Sequence, residues 1–268
     1  MSTLLPGRPP LDAVRLAALA PGLQVEVLDE TTSTNAVGGD RARAGAPEGT
    51  VVVAERQTAG RGRLDRTWET PPGSGLLFSL VLRPTVPPVE WPWLPLLTGH
   101  TVARALRGAG YAAGVKWPND VLIGDRKIAG ILVERVETPS GPAAVVGIGL
   151  NVSLTAEELP VPTGTSLAIE SGVEPDRTEV LVLLLEALLE AYDAWQVGGP
   201  DARDQLATSY AAACVTVGRE VRVELPGGGQ LLGRATGVDR QGRLVVTGPD
   251  GQTAVGAGDV VHVRPVDR

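Results

Sequence analysis

Arginine and glycine alternate in one short segment, residues 60–68, which reads Gly-Arg-Gly-Arg-Leu-Asp-Arg-Thr-Trp. The guanidinium groups of Arg61, Arg63 and Arg66 are permanently charged, and their planar forks of N–H donors suit phosphate and carboxylate groups. Glycine lets the main chain approach a ligand and adopt positive φ, so that backbone N–H groups can point at an anion. Trp68 ends the segment with a flat ring that can stack on a base. The pattern predicts a loop that closes over a phosphorylated ligand; taken alone, a solvated basic turn is an equally good interpretation.

Hydroxyl and amide side chains stand at two other points where a predicted strand ends. Ser33, Thr34 and Asn35 follow the first predicted strand and open a helical stretch. Serine and threonine are good helix N-caps, so capping alone would explain them, whereas the functional interpretation is that they hydrogen-bond a polar ligand. Gln57 lies at the carboxyl end of the buried strand predicted at 50–56, where ligands usually bind in such sheets.

The segment Lys-Trp-Pro-Asn-Asp at 116–120 interrupts a pair of predicted strands. Proline removes a ladder donor and forces the residue before it into extended backbone, and such a break exposes Asn119 and Asp120 toward a site. An ordinary Asn/Asp turn is the plain alternative. We interpret the break as functional, because a simple turn does not account for the whole pentapeptide.

Lys127 begins the strand predicted at 127–135. Strict alternation places it on the same face as Ala129, Ile131 and Val133, which should be the buried face. A lysine that enters an apolar face is costly unless it meets an anion. The alternative is a lysine at a strand end whose ammonium extends to solvent.

Two glycines interrupt the strand predicted at 143–152. Gly147 and Gly149 share one face with Asn151, so they leave a gap where a flat ligand can lie against the backbone. Asn151 would supply a polar group at the edge of this gap. Close packing of a helix would also require glycines here, but it would not require the asparagine.

Elements with clear periodicity position these residues. A further buried strand is predicted at 75–83, and helical spacing occurs at 94–108 and, most regularly, at 178–195. From residue 217 the pattern changes to short alternating strands with Gly-rich turns, which favours a small β-barrel. We therefore divide the chain into one domain at residues 1–215 and a second at residues 216–268.

The composition restricts the class of protein. With 268 residues the chain can form one full-sized core and a small second domain, and its net charge of −7 gives no basic field for nucleic acid. A single cysteine, Cys214, rules out an internal disulfide and fits a reducing cytoplasm. The N-terminus lacks a signal-peptide pattern, and no apolar run reaches the length of a membrane span. A cytoplasmic protein that binds neither nucleic acid nor membrane is expected.

In their order and spacing, these segments resemble the catalytic core of biotin protein ligases (biotin–[acetyl-CoA carboxylase] ligases), strongly over about residues 25–152. The resemblance rests on six segments. They are Thr-Thr-Ser-Thr-Asn at 31–35, Gln-Thr-Ala at 57–59, the arginine segment at 60–68, Lys-Trp-Pro-Asn-Asp at 116–120, Asp-Arg-Lys-Ile-Ala-Gly-Ile-Leu-Val-Glu at 125–134 and Gly-Ile-Gly-Leu-Asn at 147–151. It implies an α+β fold, with a class II synthetase-like mixed sheet flanked by helices and a small SH3-like β-barrel as the C-terminal domain. Some biotin ligases also carry a helix-turn-helix domain and act as repressors. Because 24 residues precede the first predicted strand, a monofunctional ligase without that domain is expected.

The resemblance also implies an activity and a set of substrates. Such a ligase makes biotinyl-5′-AMP from biotin and ATP with Mg²⁺, and then transfers biotin to a specific lysine of a biotin carboxyl carrier domain. It acts as a monomer or as a ligand-promoted homodimer. The implied catalytic residues are Lys127, Arg63 and Asp120, with Asp120 orienting or helping to deprotonate the acceptor lysine. The implied biotin-binding residues are Ser33, Thr34, Asn35, Gln57, Arg61, Gly62, Arg63 and Lys127. The implied ATP-binding residues are Arg63, Arg66, Trp68, Asn119 and Asn151, and the sequence does not indicate the metal ligands.

Two other classes remain as alternatives. A lipoate ligase or octanoyltransferase shares a related fold, but the chain has no Arg-Arg-x-Ser-Gly-Gly-Gly string, and Cys214 lies outside the motifs. A non-enzymatic biotin sensor or repressor is disfavoured because no DNA-binding domain is expected. One feature departs from the family pattern: Leu64-Asp65 replaces more basic or glycine-containing versions of the loop, which leaves the dynamics of the loop open.

Overall fold

The computed structural model describes residues 8–263; the ends, which include most of a loose Pro/Gly-rich arm expected at 1–10, lie outside the described residues. The first sheet contains β1 (Gln24–Thr31), β2 (Thr50–Gln57), β3 (Gly75–Leu82), β4 (Ala113–Lys116), β5 (Asp120–Ile123), β6 (Arg126–Val136) and β7 (Ala143–Asn151). The strand order is β1-β2-β3-β7-β6-β5-β4. β1 and β2 run parallel, and all other neighbours are antiparallel. This is a mixed sheet, as the resemblance implies.

Helices flank this sheet. They are α1 (Ala13–Leu19), α2 (Thr34–Arg43), a 3-10 turn (Pro88–Glu90), α3 (Trp93–Gly108), α4 (Leu167–Ser171), α5 (Arg177–Val197) and α6 (Gly199–Ala213). The helices predicted from the 3.6-residue period at 94–108 and 178–195 are confirmed within two residues at each end. The strands predicted at 50–56, 75–83 and 143–152 are confirmed as β2, β3 and β7.

The two faces of the sheet differ in what covers them. One face, here called the helix face, packs against α3 and α5 and forms the main core, which includes Leu76, Phe78 and Ile148, each at most 3% exposed. On the opposite face lies α2, and an added Cβ on its Gly38 would be 3.1 Å from Val145 Cγ1. Because α2 is short, part of this second face stays open, and we call it the cleft face.

A buried ion pair ties α5 to the sheet. Arg177, the first residue of α5, lies 2.7 Å from Glu55 of β2, with side-chain exposures of 6% and 4%. The Leu11 N–H also donates to Glu55, at 2.6 Å, and Arg177 donates to the Gly75 carbonyl oxygen, at 3.2 Å. A buried charge is tolerated when it is paired and hydrogen-bonded in this way, so the contact fixes where α5 begins.

The C-terminal strands form a second sheet. These strands are β8 (Glu220–Glu224), β9 (Gln230–Val238), β10 (Leu244–Gly248), β11 (Gly251–Val255) and β12 (Asp259–His262), in the antiparallel order β11-β10-β9-β8-β12. This C-terminal sheet docks on the first part of the chain, because Trp117 donates to the Gly242 carbonyl oxygen at 2.9 Å and Trp93 to the Arg240 carbonyl oxygen at 2.8 Å. The predicted fold class, a helix-flanked mixed sheet followed by a small β domain, is confirmed. No helix within residues 8–263 is long and apolar enough to cross a membrane.

Candidate active site

One cleft on the cleft face brings together nearly all the residues that the sequence singled out. Its lining includes Ser33, Thr34, Asn35, Gln57, Arg61, Gly62, Arg63, Arg66, Trp68, Asn119, Asp120, Lys127, Gly130, Gly147, Gly149 and Asp259. Asn151 is the predicted site residue that the structure does not place in this lining. It is buried, and its Nδ2 donates to the Thr165 carbonyl oxygen at 2.9 Å.

The uncharged end of the cleft is built by the start of α2 and the end of β2. The Thr34 N–H donates to Gln57 Oε1 at 2.8 Å, and Thr34 Oγ1 donates to the same oxygen at 3.1 Å. Ser33 is the N-cap residue by its backbone, but its hydroxyl makes no capping hydrogen bond within the described chain. Capping therefore does not explain Ser33. The residue is 3% exposed and forms part of the cleft lining.

Asn35 is held by protein groups on both sides of its amide. Its Nδ2 donates to Glu134 Oε2 at 2.7 Å and to the Leu132 carbonyl oxygen at 3.2 Å, and its Oδ1 accepts from Ser79 Oγ at 2.6 Å. An added Cβ at Gly147 would lie 2.1 Å from Asn35 Oδ1. The glycine is thus required by this amide, which lines the cleft as a fixed wall.

The arginine loop, residues 60–68, folds as a hairpin. Arg61 pairs with Thr67 as an antiparallel bridge, and the Gly62 N–H donates to the Arg66 carbonyl oxygen at 2.6 Å. The turn is closed by the Arg66 N–H, which donates to the Arg63 carbonyl oxygen at 3.3 Å. The loop amides named here are used within the hairpin, so the expectation that they point at an anion is wrong for this conformation.

Positive φ occurs at the tip of the hairpin and not at its two glycines, Gly60 and Gly62. Leu64 has φ 55° and Asp65 has φ 57°, which is the arrangement of a type I′ turn. Gly60 is required for a different reason: an added Cβ there would be 2.2 Å from the Trp68 carbonyl oxygen. The expectation of positive φ at the early glycines is therefore wrong, and the departure Leu64-Asp65 places strain at the tip.

Trp68 occupies the gap that the sequence assigned to a ligand. An added Cβ at Gly149 would lie 2.4 Å from Trp68 Cε2, and one at Gly130 would lie 2.9 Å from Trp68 Cζ3. With Asn35 over Gly147, the glycines of β7 accommodate protein side chains in this structure. The prediction of an open gap over these glycines is wrong.

Lys127 reaches the cleft because β6 contains a bulge. Val121 of β5 pairs with Ala129, whereas Leu122 pairs with Lys127, so β6 has an extra residue, Ile128, between these partners. The prediction that Lys127 shares the face of Ala129 is therefore wrong. Its ammonium instead lies 2.6 Å from Asp120 Oδ1 and 5.2 Å from the centre of the Trp68 ring.

Every cation of the cleft has a protein partner. Arg61 lies 3.0 Å from Glu134, and Arg66 pairs with Asp259 of the C-terminal sheet. Arg63 donates to Asn119 Oδ1 at 3.0 Å and, at 3.5 Å, to the carbonyl oxygen of Gly258. Burial lowers the pKa of Arg63, and the charges of Asp120 and Asp259 oppose this shift. Arg63 is thus a partly desolvated cation whose charge attracts an anion strongly.

Three polar residues of this arrangement were missed by the sequence argument. Ser79 is a polar residue in the otherwise apolar strand β3 and could have been noticed for that reason. Glu134 is the last residue of the segment 125–134, in which the resemblance implies a role for Lys127 alone. Asp259 gives no local signal, because its partner Arg66 is 193 positions away.

Metal binding can be tested on the carboxylates of the cleft. Within residues 8–263 no group of three or more His, Cys, Asp or Glu side chains could hold a metal ion. The carboxylates that line the cleft are Asp120 and Asp259. Mg²⁺ is often bound by one or two carboxylates together with substrate phosphates, so these residues fit a magnesium ion that arrives with a nucleotide and not a permanent metal centre.

Comparison with known proteins gives the family context of this cleft. The Biotin/lipoate A/B protein ligase family matches residues 26–152, and the Biotin protein ligase C terminal domain matches residues 216–263. The chain is 40% identical to the biotin–[acetyl-CoA-carboxylase] ligase of Mycobacterium tuberculosis, over 96% of this chain and 97% of that protein. It is 34% identical to the bifunctional ligase/repressor BirA of Bacillus subtilis, over 89% of this chain and 76% of that protein. The structure of a biotin protein ligase from Aquifex aeolicus in complex with biotin and ATP matches with a TM-score of 0.77 at 28% identity, covering 90% of this chain and 99% of that one.

Proposed function

The chain belongs to the biotin/lipoate A/B protein ligase family as a biotin protein ligase, and on this basis we propose that it activates biotin with ATP as biotinyl-5′-AMP and transfers it to one lysine of a biotin carboxyl carrier domain. The observation that carries the proposal is the polarity of the cleft. One part of the lining is the neutral group of Ser33, Thr34 and Gln57, in which Thr34 hydrogen-bonds Gln57, and we call it the neutral end. Another part is formed by Lys127, Arg63 and Arg66, which contact Asp120, Asn119 and Asp259, and we call it the cationic end. A ligand with a polar uncharged ring and an anionic tail matches this division.

The neutral end suits the ring of biotin. Gln57 Oε1 accepts from the Thr34 N–H, which fixes the orientation of the Gln57 amide. The amide donor Nε2 lies beside Gly60, 2.7 Å from the position of an added Cβ at that glycine. Ser33 supplies a hydroxyl that can both donate and accept. These groups bind the ring, while Asn35, whose amide is already satisfied, shapes the wall beside it.

The cationic end suits the chemistry of adenylation. A carboxylate oxygen of biotin attacks the α-phosphorus of ATP, a new O–P bond forms, and pyrophosphate leaves with the electrons of the broken P–O bond. Both reactants are anions, so they repel each other unless cations lie between them. Lys127, Arg63 and Arg66 provide that charge, and Arg63 does so from a partly buried position.

Ligand binding exchanges partners at Lys127. The biotin carboxylate replaces Asp120 next to the Lys127 ammonium, which frees the Asp120 carboxylate. In the second step the acceptor lysine amine attacks the acyl carbon of the mixed anhydride, and AMP leaves. Asp120 orients that amine and accepts its proton.

The nucleotide binds beside the loop. Trp68 presents its ring for adenine, and Asn119 supplies an amide from the lining, while Asn151 contributes from a buried position outside it. The hairpin covers the cleft and excludes water, which would otherwise hydrolyse the anhydride. We expect the loop to be mobile without ligand and ordered with biotinyl-5′-AMP. Mg²⁺ bound with the nucleotide, within reach of Asp120, would neutralise phosphate charge.

The decisive experiment is ATP-dependent incorporation of biotin into a purified biotin carboxyl carrier domain, detected with streptavidin and by the mass gain of the carrier. Matched reactions contain lipoate or octanoate in place of biotin, and a carrier whose acceptor lysine is replaced by arginine. We expect labelling with biotin alone and with the native carrier alone. Transfer of lipoate or octanoate in place of biotin would refute the assignment of substrate.

Two further properties belong to this proposal. The single cysteine fits a cytoplasmic enzyme, and the acidic net charge fits an enzyme without nucleic acid as a partner. We propose a monomer, or a homodimer promoted by ligand. Sedimentation velocity with and without biotin and ATP distinguishes these states.

A further inference from the structure

A continuous series of polar contacts crosses the cleft wall from β2 to the arginine loop. It starts where Gln57 accepts from Thr34, and Thr34 Oγ1 lies 2.8 Å from Ser79 Oγ. Ser79 donates to Asn35 Oδ1 at 2.6 Å, and Asn35 in turn donates to Glu134 at 2.7 Å. The series therefore begins at the neutral end of the cleft and ends at a carboxylate on β6.

Glu134 connects this series to the loop. Its Oε2 accepts from Asn35 Nδ2 at 2.7 Å and from Arg61 NH2 at 3.0 Å. One oxygen atom thus contacts both the first turn of α2 and the first strand of the hairpin. If Asn35 or Arg61 shifts, the Glu134 carboxylate follows it, and the geometry of its other hydrogen bond changes.

The surroundings show that Asn35 has little freedom to adjust. Its amide is fixed by Ser79 and by the Leu132 carbonyl oxygen, and only a glycine at position 147 leaves room for it. Arg61, in contrast, is about half exposed and lies at the base of a hairpin that has no other ion pair at that end among the described residues. Of the two partners of Glu134, Arg61 is therefore the one with more freedom to move.

We propose that Glu134 is a positioning residue that couples occupancy of the neutral end of the cleft to closure of the arginine loop. The inference rests on the proposed function, because the coupling acts between biotin and the loop that retains the adenylate. A ligand ring at Ser33 and Thr34 adds contacts to the first turn of α2 and so stabilises the one position of Asn35 in which its amide donates to Glu134. Glu134 then holds Arg61, and the hairpin stays over the cleft.

An isolated ion pair of this exposure contributes little to stability, so a purely structural role predicts almost no effect on ligand retention. The coupling role predicts a specific effect on ligand retention, which is faster release of the adenylate. Glu134→Gln keeps an oxygen that accepts from Asn35 but removes the charge that holds Arg61. It should leave the Kd of biotin, measured by calorimetry without ATP, within about twofold of wild type, and release biotinyl-5′-AMP about fivefold to tenfold faster. Glu134→Ala removes both contacts and should also weaken biotin binding by about threefold to tenfold.

A double-mutant cycle makes the test specific. If Glu134 acts through Arg61, the Arg61→Ala/Glu134→Gln variant, in which the oxygen that accepts from Asn35 is kept, should release the adenylate no faster than Arg61→Ala alone. The matched control is the exposed pair of Arg56 and Glu30, 2.7 Å apart on β2 and β1; Glu30→Ala should change neither quantity.

Three results would overturn the inference: wild-type adenylate release in both Glu134 variants, additive effects of Glu134→Gln and Arg61→Ala, or an equal effect of Glu30→Ala. Circular dichroism of each variant checks the fold, and Glu134→Gln, which is nearly isosteric, keeps the test available where Glu134→Ala unfolds. Failure of the wild-type protein itself to form an adenylate would instead refute the proposed function.

Discussion

The contact between Trp68 and Gly149 gives the sharpest prediction. An added Cβ at Gly149 would lie 2.4 Å from Trp68 Cε2 and 2.5 Å from its Nε1. Carbon atoms in contact are about 3.5–4.0 Å apart, so Gly149→Ala must displace the ring by about 1 Å. Because Trp68 ends the arginine loop, the displacement moves the hairpin and the cations that it carries.

The magnitude follows from the sensitivity of catalysis to position. A misplacement of about 1 Å can reduce a rate by about 10²-fold, which corresponds to about 2.7 kcal/mol in the activation free energy. We therefore expect Gly149→Ala to lower biotin-dependent ATP–pyrophosphate exchange by about this factor. The fold should persist, because the clash involves a side chain at the edge of the cleft and not the main core.

Two companion variants decide whether the clash is the cause. Gly237→Ala, in β9, adds a methyl group where no atom lies within 4 Å, and it should exchange pyrophosphate at the wild-type rate. Trp68→Phe has a smaller ring, so combining it with Gly149→Ala should cost less than the product of the two single effects. If Gly149→Ala keeps more than half of the wild-type rate, or if the two changes multiply, the ring does not require this glycine for adenylation.

The remaining predictions concern the cation, the buried pair and pH. Lys127→Gln should reduce pyrophosphate release by at least about 10²-fold while circular dichroism stays native; unchanged release would remove Lys127 from the mechanism. Arg177→Met leaves Glu55 buried without its partner and should lower the free energy of unfolding in urea by about 3–5 kcal/mol. Arg15→Met, at the exposed ion pairs with Asp176 and Glu179, should change it by less than about 1 kcal/mol, and equal effects would refute the argument from burial. Burial lowers the pKa of His100 from 6.5 to about 4, with smaller effects of nearby arginines. The unfolded chain then binds more protons between these values, so stability should fall as pH is lowered from 6.5 toward 4, and His100→Gln should flatten that fall in thermal unfolding.

The strands and helices around the cleft could be predicted because each follows one simple period. Alternation over residues 143–152 predicts β7, and the 3.6-residue period of the apolar residues predicts α5. The same rule failed at Lys127, where the bulge at Ile128 shifts the alternation by one residue. A period cannot report an extra residue, because the bulge is set by pairing with the neighbouring strand.

The residue types of the cleft could also be predicted, but their partners could not. The three closely spaced arginines of the loop predict a site for an anion. Sequence does not show that Trp68 fills the space over Gly149, because that contact joins segments about 80 positions apart and depends on the close approach of the backbone. The same holds for Asp259, which comes from the other end of the chain.

The C-terminal sheet therefore supplies part of the loop's environment. Arg66 pairs with Asp259, the first residue of β12, and Arg63 donates to the carbonyl oxygen of Gly258, which precedes that strand, so two of the three loop arginines contact the C-terminal part of the chain. In the described conformation no cleft cation waits for a ligand without a partner, and binding of an anion replaces one set of contacts by another. Replacing one partner of a cation by another costs less free energy than desolvating a free charge. Closure of the loop then depends on how much better each ligand contacts the cations than their protein partners do. Under the proposed function, an adenylate places the biotin ring at the neutral end and adds a phosphate to the groups that contact the cations, whereas biotin lacks the phosphate and ATP leaves the neutral end empty. We therefore expect the proposed adenylate to be retained longer than either substrate.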